Sequence, residues 1–112
     1  FSALSREMRE KYFVQDGDAW CVRPELCRRV QWSQVNLASE ADVRPMASAP
    51  VIFCRNVFIY FSDRSLRATV RVFAESMPRG GYLCVGASES LLQVSDAFEL
   101  EQIGSAFVYV RQ

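Results

Sequence analysis

The chain has 112 residues, half of them hydrophobic and 23% charged, the composition of one globular domain with a core of its own rather than of a disordered or fibrous segment. Thirteen basic and thirteen acidic residues cancel, so the broad basic footprint that favours nucleic acid or an anionic membrane surface is missing. Histidine is absent, which excludes His-ligated metal sites and Ser-His-Asp or Cys-His catalysis, and no metal is expected.

The first residue is Phe1, with no signal-peptide pattern after it, and it stands inside a helical pattern. The chain is therefore expected to be a piece of something longer. Leu4, Met8 and Tyr12 recur every four residues among charges, which predicts an amphipathic helix over residues 2–13 ending near the Asp16-Gly17-Asp18 turn signal. Trp20 and Val22 alternate with Cys21 and Arg23, as in a short strand. After Pro24, the alternation around Val30 and Trp32 predicts a second strand over residues 30–35 that enters the core. Residues 38–50 hold Pro45, Pro50 and many small residues, a connection with room for one helical turn. The run Val51-Ile52-Phe53-Cys54 has the pattern of a parallel strand buried on both faces.

Ser62 is a candidate N-cap and Asp63 suits the positive start of a helix. Leu66, Val70, Phe73 and Met77 form the buried stripe of that helix, which Pro78-Arg79-Gly80-Gly81 stops. Tyr82-Leu83-Cys84-Val85 is the next buried strand, residues 86–90 a small-residue loop and residues 91–94 a short helical piece. Residues 98–100 and 106–110 bracket Gly104 as a closing antiparallel pair. The sum is an α/β pattern with a partly parallel sheet. Cys21, Cys27, Cys54 and Cys84 include no CxxC pair and read as reduced, buried thiols of a cytoplasmic protein. No apolar run approaches the ~18 residues of a membrane span.

Ligands of open α/β sheets bind at the carboxyl ends of the strands. Three polar clusters fall at such ends: Asn36-Leu37, Arg55-Asn56 and Ser88-Glu89-Ser90. Arg55 and Asn56 interrupt greasy sequence, and burying such groups is costly unless they are paired. Two readings stand side by side. In the structural one, Arg55 ion-pairs with a carboxylate and Asn56 caps the following turn. In the functional one, both face a ligand.

The run Cys54-Arg55-Asn56-Val57-Phe58-Ile59-Tyr60-Phe61 resembles the CRNVxIYF signature of the CheR family, the chemoreceptor glutamate O-methyltransferases. Gly80-Gly81-Tyr82-Leu83 with Gly86-Ala87-Ser88-Glu89-Ser90 resembles that family's GGYL…GHSES segment. Asn36-Leu37 after Val30 is similar to its V-x-F…NL element, and Lys11-Tyr12-Phe13 with Pro24-Glu25-Leu26 to its YF…PEL excursion. The resemblance runs in order over nearly the whole chain.

It implies the C-terminal half of a doubly wound, Rossmann-like class I methyltransferase sheet that binds S-adenosylmethionine (SAM), with a small antiparallel β-subdomain. Residues 12–28 would be the subdomain-like excursion and residues 29–112 the core. The implied reaction is methylation of glutamate side chains on the cytoplasmic helical bundle of chemoreceptors. By matched position, Asn36 and Leu37 would hold the adenine, Arg55 and Asn56 would lie along the methionine side of SAM, and Arg55 and Tyr60 would act at the methyl transfer. The excursion is short, with one glycine, and resembles the type that uses no receptor-tail tether. Arg23, Arg28 and Arg29 either meet acidic receptor helices or form a solvated face.

The chain departs from the family at Ala49-Pro50, where an Asp is usual, and at Ala87, which replaces the histidine of GHSES. The family's N-terminal helical domain and Gly-rich SAM turn have no counterpart here. The chain by itself is thus expected to be inactive, to bind SAM negligibly, and to associate with itself or swap strands. The alternative is a non-catalytic interaction module of chemotaxis-type signalling.

Overall fold

The computed structural model describes residues 4–112 and divides the chain into two compact units, Phe1–Gln34 and Val35–Gln112. In the first, helix α1 (Arg6–Tyr12) starts where the Ser5 hydroxyl accepts the Met8 N–H. Residues 2 and 3 of the expected helix lie outside the described residues. The helix ends at Tyr12, sooner than the turn signal suggests, because the chain turns straight into β1 (Phe13–Asp16), which pairs antiparallel with β2 (Ala19–Val22). Gly17, at φ 61°, makes the two-residue turn between them. The Arg23 guanidinium donates to the carbonyls of Glu10 and Lys11, both at 2.8 Å, and so closes the open end of α1. Arg9 lies 4.7 Å from the centre of the Trp20 ring, a cation–π contact across the same unit. Pro24 opens a one-turn helix, α2 (Pro24–Cys27), at the position where proline's missing N–H costs nothing.

The second unit is a mixed α/β structure. Its four-stranded sheet has the order β3-β4-β6-β5. Strands β3 (Val51–Cys54) and β4 (Tyr82–Val85) are parallel, joined through a 3-10 turn (Phe58–Tyr60) and helix α4 (Asp63–Ser76). Strands β5 (Phe98–Ile103) and β6 (Ala106–Arg111) form the closing hairpin around Gly104, and β6 returns antiparallel to β4. The Ser62 hydroxyl accepts the Ser65 N–H and starts α4. Val70 and Phe73 are buried and Met77 just beyond the helix joins them, over a core that includes Leu83, Leu91 and Phe98. A short helix, α3 (Glu40–Val43), capped by Ser39, supplies the turn expected within residues 38–50. Arg44 at its end bonds both Glu40 and Glu75, which ties α3 to α4.

Four expectations are corrected. Of the cysteines expected to be buried, Cys54 is, but Cys21 and Cys27, in the small first unit, are exposed. Residues 30–35 form no strand, and Trp32 is 88% exposed. No described strand offers this segment a ladder, and an unpaired strand leaves its own N–H and C=O groups unmatched. Residues 91–94 form a single turn rather than a helix, in which the Leu91 carbonyl accepts the N–H groups of Val94 and Ser95. Strand β3 is covered on one face only: Cys54 is buried, whereas Phe53 is 73% exposed.

Candidate functional site

One side chain ties the carboxyl ends of the two parallel strands together. Oε1 of Glu89 accepts the backbone N–H of Asn56 at 2.7 Å, just past β3, and that of Gly86 at 2.7 Å, just past β4. Oε2 accepts the N–H of Phe58 at 2.9 Å, at the start of the 3-10 turn. The Glu89 N–H returns to the Gly86 carbonyl at 2.9 Å, so that the loop after β4 brings the carboxylate back over its own strand end. Asn56 sits at φ 61°, the left-handed region that asparagine tolerates better than most side chains. Its amide oxygen lies over Gly86: a Cβ on residue 86 would stand 2.3 Å from Asn56 Oδ1 and 2.8 Å from Glu89 Oε1. Any side chain at 86 would therefore displace the Asn56 amide or the Glu89 carboxylate. Beneath this cluster, burial pushes the Cys54 thiol up to about 11, with the Glu89 charge adding to the effect.

Arg55 lines a hollow of about 610 Å³ together with Gly86, Ala87, Glu89, Phe107 and Tyr109. Its guanidinium makes no hydrogen bond or ion pair among the described residues. The structural reading, an Arg55–carboxylate pair, is not what the chain adopts. Glu89 borders the same hollow, but its oxygens are engaged by three N–H groups. Tyr60, the last residue of the 3-10 turn, is 83% exposed, and its hydroxyl likewise has no partner among the described residues.

Asn36 and Leu37 lie elsewhere in the unit. The Asn36 side-chain oxygen accepts the Ala38 N–H at 3.0 Å, and its own N–H donates to Asp42 at 3.1 Å, which leaves the side-chain NH₂ free to donate. Leu37 lines an apolar hollow of about 170 Å³ with Met46, Phe53, Cys54 and Phe73, and its carbonyl accepts the Thr69 hydroxyl at 3.3 Å. Arg55 and Asn56 are thus brought together around Glu89, while Leu37 faces a separate hollow on the β3 side.

Sequence reasoning identifies Ser88-Glu89-Ser90 as a polar strand end but gives Glu89 no role. The signal was an acidic residue three positions after a strand-terminal glycine, close enough to turn back on that strand.

These side chains have complementary chemistry. A free guanidinium fork suits a carboxylate, an exposed phenol donates one hydrogen bond, and an apolar wall suits a flat heteroaromatic ring. The second unit is thus a mixed α/β domain with polar groups at the carboxyl ends of its parallel strand pair, the place where open α/β sheets bind ligands. The family model described as CheR methyltransferase, SAM binding domain, matches residues 1–107, and the chain belongs to this family. It is 34% identical over 109 residues to chemotaxis protein methyltransferase 2 of Vibrio cholerae, a match that covers 96% of this chain and 38% of that protein. It is 36% identical over 107 residues to the chemotaxis protein methyltransferase of Vibrio parahaemolyticus and 32% identical over 107 residues to chemotaxis protein methyltransferase Cher2 of Pseudomonas putida, each covering 95% of this chain and 38% of the relative. The chain therefore spans well under half the length of these curated relatives. Among the described residues no helix is long and apolar enough to cross a membrane.

Proposed function

We propose that this chain is the C-terminal half of a doubly wound methyltransferase sheet, and that a full-length protein carrying it transfers a methyl group from SAM to glutamate side chains of a chemoreceptor's cytoplasmic helical bundle. The observation that carries this reading is the unpaired Arg55 guanidinium at the carboxyl end of β3, beside a carboxylate already engaged by backbone. The family match and the names of the relatives supply the reaction class. Cytoplasmic residence follows from such a substrate.

The residues present suit the cofactor. The hollow lined by Leu37 offers an apolar wall for adenine, and Asn36, its neighbour in sequence, keeps a side-chain NH₂ that can donate to the ring. Arg55 and Asn56 stand at the strand end where the methionine portion would lie. SAM, when bound, supplies an electrophilic methyl on a sulfonium. The remaining work belongs to the side chains. A glutamate has a reference pKa of ~4.3 and arrives already ionised. No proton has to be removed, which agrees with a chain lacking histidine. Arg55 orients the incoming carboxylate, and Tyr60 donates the hydrogen bond that fixes the reacting groups in line. Residues 12–28 form the receptor-docking subdomain without a tail tether. Arg23 is committed there to the end of α1, which leaves Arg28 and Arg29 for acidic helices.

The test supplies methyl-labelled SAM and a receptor cytoplasmic domain to the full-length protein. Label should enter the receptor and leave as volatile methanol in alkali, as an ester does. Tyr60→Phe should lower turnover about tenfold, the worth of one hydrogen bond. Receptor binding without incorporation would identify the non-catalytic module instead, and label stable to alkali would exclude a glutamate ester.

A further inference from the structure

We propose that Glu89 is a positioning residue for this methyl transfer: its carboxylate locks the Arg55-Asn56 step to the Gly86 loop and thereby sets where Arg55 and Tyr60 stand. The inference rests on the reaction assigned above and adds to it a residue that touches neither substrate nor cofactor. Residues 55–57 belong to no helix or strand. What holds them is the pair of N–H groups on either side of Val57, at Asn56 and Phe58, both donated to Glu89. The third N–H, of Gly86, makes the same carboxylate the joint between two loops 33 and 3 residues away in sequence.

Bonds to an ionised acceptor are about twice as strong as neutral ones. Three on one carboxylate hold Asn56 at its left-handed φ of 61° and set the start of the 3-10 turn that ends in Tyr60. The same engagement has a second effect. A carboxylate on the wall of the Arg55 hollow would neutralise that guanidinium if its oxygens were free. Directed at backbone, it leaves Arg55 available for a substrate carboxylate.

Glutamine is the discriminating substitution. It keeps one acceptor oxygen but turns the other into NH₂, a donor facing an N–H, so one loop must move. In the full-length protein, Glu89→Gln should lower kcat per folded molecule about 100-fold, the cost of a displacement near 1 Å, with SAM affinity held within a few-fold. Glu89→Asp keeps the charge and should recover part of kcat. Separately, the Asn56, Phe58 and Gly86 amide protons of the wild-type protein should resonate far downfield, and these shifts should be lost in Glu89→Gln. If Glu89→Gln does not fold, the wild-type amide shifts and the Glu89→Asp kcat decide. A folded Glu89→Gln or Glu89→Asp protein with wild-type kcat, or wild-type amide shifts at ordinary values, would overturn the positioning role. A wild-type protein that transfers no methyl to the receptor would overturn the reaction itself, whatever the amide shifts.

Discussion

At the scale of single residues, the Cys54 thiol reports on the packing under the Glu89 cluster. It is 7% exposed, and its pKa is raised to about 11 from 9.0 by burial and then by the Glu89 charge. Between those two values the unfolded chain has lost the proton and the folded chain still holds it. The contribution is whole below pH ~9 and is lost as pH rises through about 11, with a slope of at most ~1.4 kcal/mol per pH unit. Denaturant titrations from pH 8 to 11 should show this decline, and Cys54→Ala should flatten it. An unchanged slope in the variant would assign the decline to other groups. Arg55 and Asn56 stood out in sequence as polar departures in an apolar string, whereas Tyr60, set among Phe58, Ile59 and Phe61, was singled out only by the family resemblance. Glu89 was legible only as a polar residue in a loop, since its bond to the Asn56 N–H spans 33 positions. Neither the freedom of Arg55 nor the tight approach of side chains to Gly86 can be read without that contact.

Elements were legible where local chemistry decides them. Helix α4 has a serine cap, an acidic first turn and a stripe at helical spacing, and it forms where these signals place it. The hairpin β5–β6 turns at its glycine, and β3 and β4 are the two apolar runs. Failures occurred where a neighbour decides. Residues 30–35 alternate like a strand but find no described strand to pair with. Helix α2 was not anticipated: it is a single turn without an apolar stripe, and its one local signal is Pro24 at the first helical position. The start of α4 can be checked directly. Ser62 Oγ accepts the Ser65 N–H at 3.1 Å and donates to Ser65 Oγ at 3.0 Å. Ser62→Ala should cost about 1 kcal/mol in equilibrium unfolding, and Ser62→Asp should keep most of that stability. A neutral Ser62→Ala would mean that packing of the Val70 and Phe73 face sets the helix start by itself.

For the molecule as a whole, the informative feature is the uncovered face of the sheet. Parallel sheets are ordinarily covered on both faces, and the strings Val51-Ile52-Phe53-Cys54 and Tyr82-Leu83-Cys84-Val85 are apolar at every position as if for that purpose. Within the described residues only one face meets α4. Val51, Phe53 and Tyr82 are exposed on the other, and β3 ends the sheet with no partner on its outer side. An exposed apolar edge strand invites pairing with another chain, and burial of one large apolar side chain is worth about 2 kcal/mol. Residues 1–112 alone should therefore sediment as a concentration-dependent mixture. Phe53→Lys, which places a charge on that edge, should weaken the association roughly thirtyfold. The hollow beside Leu37 opens next to the same strand, so a missing neighbour of β3 would leave the proposed adenine wall incomplete along with the sheet. Calorimetry on residues 1–112 should then register negligible SAM binding. Micromolar affinity together with a strictly monomeric boundary would instead mean that this open face is the finished surface of the domain, and that both hollows already have their full complement of walls.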